Sequence, residues 1–217
     1  SLKEFLREKK EYKDGWTFDV AGNNDPDDGY IRRNGNGYDH KSFFHFRPRL
    51  FGLLTEREIN FSQHRDWLIS CNKLFMACFG AISSFAEHLD RHIEGYNFSD
   101  RVIRSMDMNL HVMRLLYYDI GSANGLIAKP HTDRDFFTLH IAESSPGLRI
   151  GAHKALYEKT DGHVLIFPGK KAHVLTGGTL KALEHDVIDE NSRNRWSIVF
   201  FSHIDIEVPE NFSDIYK

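Results

Sequence analysis

The chain has 217 residues, 41% hydrophobic and 27% charged, with 28 basic and 31 acidic side chains for a net charge of −3. That is about one domain, long enough to bury a core without disulfide or metal staples. The near-neutral balance argues against a dedicated nucleic-acid binder. There is no run of about 18 apolar residues to suggest a membrane span, and the charged opening SLKEFLREKK lacks a signal peptide's apolar centre.

Along the chain, residues 1–10 read as a short charged helix. Gly, Asn and Asp then crowd residues 21–37 and predict loop and turns. The segment KSFFHF at 41–46 predicts a strand or aromatic plug, ended by Pro48. Residues 55–95 predict one long helix. Thr55 and Glu58 form a possible capping box, and Trp67, Cys71, Leu74, Phe75, Cys78, Ile82, Phe85, Leu89 and Ile93 make an apolar stripe of period 3.6. Cys71 and Cys78 are the only cysteines. Seven residues apart on a helix, they are separated by about 10 Å, beyond disulfide reach. Two buried thiols in a reducing, cytoplasmic compartment are expected.

Beyond about residue 109 the pattern changes to strands. They are expected at 111–118, 136–142, 147–150, 163–167, 180–188 and 196–203, separated by turn residues such as Gly121, Ser145-Pro146-Gly147, Asp161-Gly162, Pro168-Gly169 and Gly177-Gly178. Short strands without intervening helices indicate an antiparallel sandwich or barrel.

The 13 histidines raise the question of metal. His131 and Asp133, two apart, project to one side if the chain there is extended. His185 follows fifty-four residues beyond His131, on a predicted strand. Two His and one carboxylate on strands match the face that holds non-haem Fe(II) with open positions, whereas a structural zinc site wants four protein ligands. Arg195 and Ser197 then lie two apart on the last predicted strand. Arginine's planar fork suits a carboxylate, and the serine hydroxyl adds a donor beside it. His88 and His92, at i and i+4 on the long helix, lack the Glu of an HExxH motif and read as a solvated face. His140, His153, His163 and His173 have no ligand-like partner in sequence.

This ordered set resembles the Fe(II)/2-oxoglutarate-dependent dioxygenases, in the isopenicillin N synthase-like branch. The likeness runs from about residue 29 to 205. It includes GYIRR at 29–33, DHKSFFHF at 39–46, MRLLYYD at 113–119, HTDRDFFTLHI at 131–141, PGLRI, DGHVLIFPG, TGGTLKALEHDVI and RWSIVFF. The resemblance implies a double-stranded β-helix, or jelly roll, with the long helix packed on one sheet. It divides a single oxygenase domain into an N-terminal segment (1–54), the long helix (55–95) and a jelly-roll core (109–205). It implies Fe(II) on His131, Asp133 and His185. It also implies 2-oxoglutarate held by Arg195, Ser197 and Tyr118, with O2 as the third participant. The reaction is oxidation of a C–H bond in a small-molecule substrate, with release of succinate and CO2.

Some positions depart from the family. Leu116 stands where many members have Asn, and Asp186 where many have Arg. The short flanks imply a more open pocket. Tyr30, Arg32 and Arg33 fall in the segment that often forms the family's pocket rim, and Arg149, Lys170 and Lys171 add charge. A basic rim would suit an acidic substrate, although ordinary surface charge explains each of them too. Two alternatives stay open. One is an Fe(II) oxidase of this fold that does not use 2-oxoglutarate. The other is a binding or sensing protein that keeps the metal without turnover.

Overall fold

The computed structural model describes residues 1–20, 22, 27–33, 41–104, 107–118, 126–188, 195–210 and 212. The turns expected at 34–37 and at Gly121, and the side chain of Arg33, lie outside the described residues.

Two short helices open the chain, α1 (Leu2–Leu6) and α2 (Lys10–Asp14), where one was expected. Strands β1 (Thr17–Phe18), β2 (Asp28–Arg33) and β3 (Lys41–Phe46) follow. Then come helices α3 (Leu50–Glu56), α4 (Arg65–Asp90) and α5 (Phe98–Arg104). The remainder is mostly β: β4 (Val112–Tyr118), β5 (Leu126–His131), β6 (Phe137–Glu143), β7 (Leu148–Ile150), β8 (Ala155–Leu156) and β9 (Leu165–Pro168). Helix α6 (Lys170–Leu175), β10 (His185–Ile188) and β11 (Arg195–Phe201) complete it. The strands form a seven-stranded sheet, β1-β2-β3-β4-β11-β6-β9, and a four-stranded sheet, β5-β10-β7-β8. The ladders are antiparallel, and the two sheets face each other as a double-stranded β-helix.

The larger sheet is buried on both faces, because its strands carry apolar residues at successive positions rather than at alternate ones. On β3, Phe43 joins the core between the sheets, while Phe44 and Phe46 face the helices. On β4, Val112, Leu116 and Tyr118 point inward and Met113 and Leu115 outward. Helix α4 lies on that outer face through Leu68, Cys71, Phe75, Cys78, Ile82, Ala86 and Leu89, while Trp67, Leu74, Phe85 and Ile93 of the expected stripe pack against it only partly buried. Phe5, Phe44, Phe46, Phe75, Phe98, Phe136, Phe137 and Phe200 fill this layer. Each contributes roughly 1.5–3 kcal/mol by burial. By length and hydropathy the 62–90 stretch also passes as long and apolar enough to cross a membrane. In this fold its apolar stripe packs against the sheet.

The long helix is shorter than the expected 55–95. Thr55 is no cap: it sits inside α3, and its hydroxyl donates to the Phe51 carbonyl. Glu58 has φ +53°, which no helix tolerates. At the other end the Asp90 carboxylate accepts the backbone N–H groups of Phe98 and Ser99, so the chain turns to start α5. Residues 180–184, expected to be strand, precede β10.

Candidate metal centre

His131 ends β5, and His185 begins β10. The antiparallel pairing of these strands sets His131 opposite His185, with ring centroids 4.3 Å apart. Asp133 follows two residues after β5, in a loop held by backbone donors from the start of α6. The Lys170 N–H donates to the Asp133 carbonyl at 2.8 Å, the Lys171 N–H to the Asp135 carbonyl at 3.2 Å, and the Gly169 N–H to the Phe136 carbonyl at 2.8 Å. Glycine is required at 169, because a Cβ there would sit 2.2 Å from the Asp135 carbonyl oxygen and 3.0 Å from that of Asp133.

One ligand atom from each of His131, Asp133 and His185 lies within 4.8 Å of the others. Asp133 Oδ1 is 3.7 Å from His131 Nε2, and its Oδ2 is 3.7 Å from His185 Nε2. Each imidazole is oriented by its own backbone. His131 Nδ1 donates to the Lys129 carbonyl at 2.7 Å and His185 Nδ1 to the Leu183 carbonyl at 3.2 Å. A carbonyl can only accept, so both protons sit on Nδ1 and both Nε2 lone pairs are left for a metal. The Thr138 hydroxyl fixes the carboxylate by donating to Asp133 Oδ2 at 2.6 Å. Burial lowers the pKa of His185, although Asp133 pulls the other way, and this favours the neutral form that binds metal. The donor set therefore suits an Fe(II) ion, since three protein donors leave coordination positions for other ligands.

The same cavity, about 70 Å³, is lined by Tyr118, Arg195 and Ser197, together with Lys41, Arg114, Thr138 and His140. Arg195 pairs with Tyr118 across the β11–β4 ladder, and Ser197 with Leu116, so Arg195 and Ser197 face inward together. The Arg195 guanidinium lies 5.8 Å from the Tyr118 ring centroid. It is already engaged, with Nη2 donating to Glu143 Oε2.

The residues proposed as a basic rim sit elsewhere. Tyr30 and Arg32 are on the outer face of β2 and border a different pocket, with Lys3, Arg7 and Lys13. The Tyr30 ring packs among Phe5, Trp16 and Phe44. Arg149 is turned away from the barrel interior and pairs with Asp186 from the next strand, at 2.7 and 2.8 Å. That pairing, foremost the hydrogen bonds from Arg149, holds the Asp186 carboxyl below its ordinary pKa. Lys171 is no rim residue either, because its Nζ is buried and donates to the Ile204 carbonyl at 2.6 Å. His173 lies on α6. His88 and His92 are exposed at the end of the long helix.

Sequence reading missed Thr138, Glu143, Lys41 and Arg114. Thr138 lies five residues beyond Asp133, at the start of β6, and that spacing was the available signal. The other three depend on strand pairing.

No curated protein sequence matches the chain. Residues 109–204 match the model of the 2OG-Fe(II) oxygenase superfamily. Among solved structures, the dioxygenase for auxin oxidation 1 from Arabidopsis thaliana, in a binary complex with 2-oxoglutarate, is similar at 18% identity. Its TM-score is 0.67, covering 97% of this chain and 80% of that one. The dioxygenase for auxin oxidation in rice is similar at 15% identity and TM-score 0.67, covering 97% and 70%. JOX2 in complex with 2OG, Fe and JA is similar at 16% identity and TM-score 0.63, covering 97% and 65%. The isopenicillin N synthase-like branch is compatible with these likenesses. The match to the 2OG-Fe(II) oxygenase superfamily model spans both the His-x-Asp and the distal His that converge in the barrel.

Proposed function

We propose that this oxygenase oxidises a C–H bond of a small carboxylic acid, with His131, Asp133 and His185 holding Fe(II) and Arg195, Ser197 and Tyr118 holding 2-oxoglutarate. The observation that carries the reading is the shared cavity. The three metal donors, the Arg-x-Ser pair and two further cations, Lys41 and Arg114, all line it.

When bound, Fe(II) with 2-oxoglutarate supplies the O2 chemistry, which in balance turns 2-oxoglutarate, O2 and R–H into succinate, CO2 and R–OH. The protein's part is placement. Lys129 and Leu183 carbonyls hold the two imidazoles as Nε2 donors, and Thr138 keeps Asp133 turned toward them. Arg195 and Ser197 offer N–H and O–H donors to the far carboxylate of the keto acid. Val187, Val199, Phe167 and Phe201 line the rest of the cavity and keep it poor in water.

Substrate recognition falls to Lys41 and Arg114 rather than to Tyr30, Arg32 or Arg149, because only the first two share the cavity with the metal donors. Arg114 is braced between the rings of Phe43 and Phe201, 4.9 and 4.8 Å away, and its Nε donates to His45 Nε2 at 2.7 Å. A braced guanidinium in an apolar wall is a carboxylate site. A dioxygenase for auxin oxidation and a complex with JA among the similar structures accord with a small-molecule substrate.

The test is substrate-stimulated succinate release across a panel of small carboxylic acids and their primary amides. The expected result is stimulation by one or more acids, absent with the matching amides and lost in Arg114→Met. Stimulation by the amide as strong as by its acid would overturn the assignment of an acidic substrate.

A further inference from the structure

The ion pair between Arg195 and Glu143 lies inside the site, with side-chain exposures of only 2% and 3%. Besides its bond to Glu143 Oε2, Arg195 donates from Nε to the Ser145 carbonyl at 3.3 Å. Gly147 presses against it, since a Cβ there would come within 3.0 Å of Nε. Glu143 Oε1 is buried with no hydrogen-bond partner among the described residues, and His140 Nε2 lies 3.2 Å from Oε2. The carboxylate is thus in a place where it is poorly solvated, and among the described residues Arg195 is the one that engages it strongly.

An arginine anchors a carboxylate through its full positive charge and its fork of donors. Here one donor and much of the charge are committed to Glu143. A second carboxylate arriving from the cavity must share the guanidinium with Glu143 or displace it, and in a site of low dielectric two carboxylates repel strongly. We propose that Glu143 is a built-in counter-carboxylate, which sets how tightly and how selectively Arg195 holds the far carboxylate of a keto acid. The proposal rests on the reading of Arg195 as the keto-acid anchor.

Two probes isolate it. 2-Oxoglutarate and 2-oxopentanoate share the C1 carboxylate and ketone, and only the first has a far carboxylate. Their affinity ratio therefore reports the Arg195 end alone. Calorimetric titration of both into Mn(II)-loaded protein without O2 measures the ratio with no turnover. Glu143→Gln keeps the side chain's size and an acceptor for Arg195. It is expected to raise the ratio at least tenfold, by tightening 2-oxoglutarate and leaving 2-oxopentanoate unchanged. Adding Arg195→Met should return the ratio to near one. Glu143→Ser should act in the same direction. In either Glu143 variant, 2-oxoglutarate should raise the melting temperature by more than it does in the native protein, which also shows that the variant is folded. An unchanged or lower ratio in both Glu143 variants, with Arg195→Met alone still lowering it, would leave the anchor standing and overturn the counter-carboxylate. A ratio indifferent to Arg195→Met in both backgrounds would overturn the anchor and the proposal together.

Discussion

Thr138→Val tests whether the hydroxyl beneath Asp133 is part of the metal centre. Valine has nearly threonine's shape and fills the same space in β6, so the substitution removes one group, the O–H that donates to Asp133 Oδ2 at 2.6 Å. Thr138 is buried, so water cannot easily replace the bond. A hydrogen bond to an ionised carboxylate contributes about 1.5–3 kcal/mol, and loss of such a supporting bond typically lowers metal affinity by about 10–100-fold, or about 1.4–2.7 kcal/mol. The two scales agree. Mn(II) affinity, read by competition with a fluorescent chelator, should therefore fall at least tenfold in Thr138→Val and by less than about threefold in Thr138→Ser. Circular dichroism would confirm that both variants are folded. A folded Thr138→Val protein with native Mn(II) affinity would refute the reasoning, because Asp133 would then need no orienting.

Three further outcomes follow from the packing. Gly169→Ala drives a methyl into the Asp135 carbonyl and should cost about 1–3 kcal/mol in urea unfolding, with weaker Mn(II) binding because the Asp133 loop moves. Asp90→Ala removes the acceptor for the first N–H groups of α5 and should cost about 1–2 kcal/mol at pH 7. Burial alone would raise the Asp90 pKa, but the hydrogen bonds from Ser99 and Phe98 outweigh it and hold the carboxyl below its ordinary value. With a depressed folded pKa, that stability is complete above the unfolded value near 3.9 and is lost as pH falls through the folded one, so the gap between native protein and variant should close in acid. Burial pushes the Cys71 and Cys78 thiols up to about 12, so iodoacetamide should alkylate them roughly a thousandfold more slowly at neutral pH in the native protein than in urea.

The metal donors were legible because their chemistry is local. His-x-Asp, a distal His and Arg-x-Ser each announce themselves by residue type and spacing, and the apolar stripe of α4 is equally direct. What depended on pairing was not legible. Glu143 comes to face Arg195 because β6 and β11 shift register between Ile198 and Val199, an irregularity with no mark in the sequence. Tyr30 and Arg32 look like rim residues until β2 is seen to be buried on both faces, with Ile31 inward and Tyr30 outward. The end of α4 was misjudged because the Asp90 side chain captures backbone donors eight and nine residues away. Helix α6 hides in a stretch that reads equally well as turn and strand, yet its first N–H groups hold the loop of Asp133.

The most direct test of the account is a single turnover. Protein loaded with Fe(II) and 2-oxoglutarate without O2 is exposed to air, and succinate is counted against iron, beside His131→Ala, Asp133→Ala and His185→Ala. The account predicts iron-dependent succinate from the native protein and none from the three variants. Equal succinate from a folded Asp133→Ala protein, or none from native protein shown to hold both Fe(II) and 2-oxoglutarate, would contradict it.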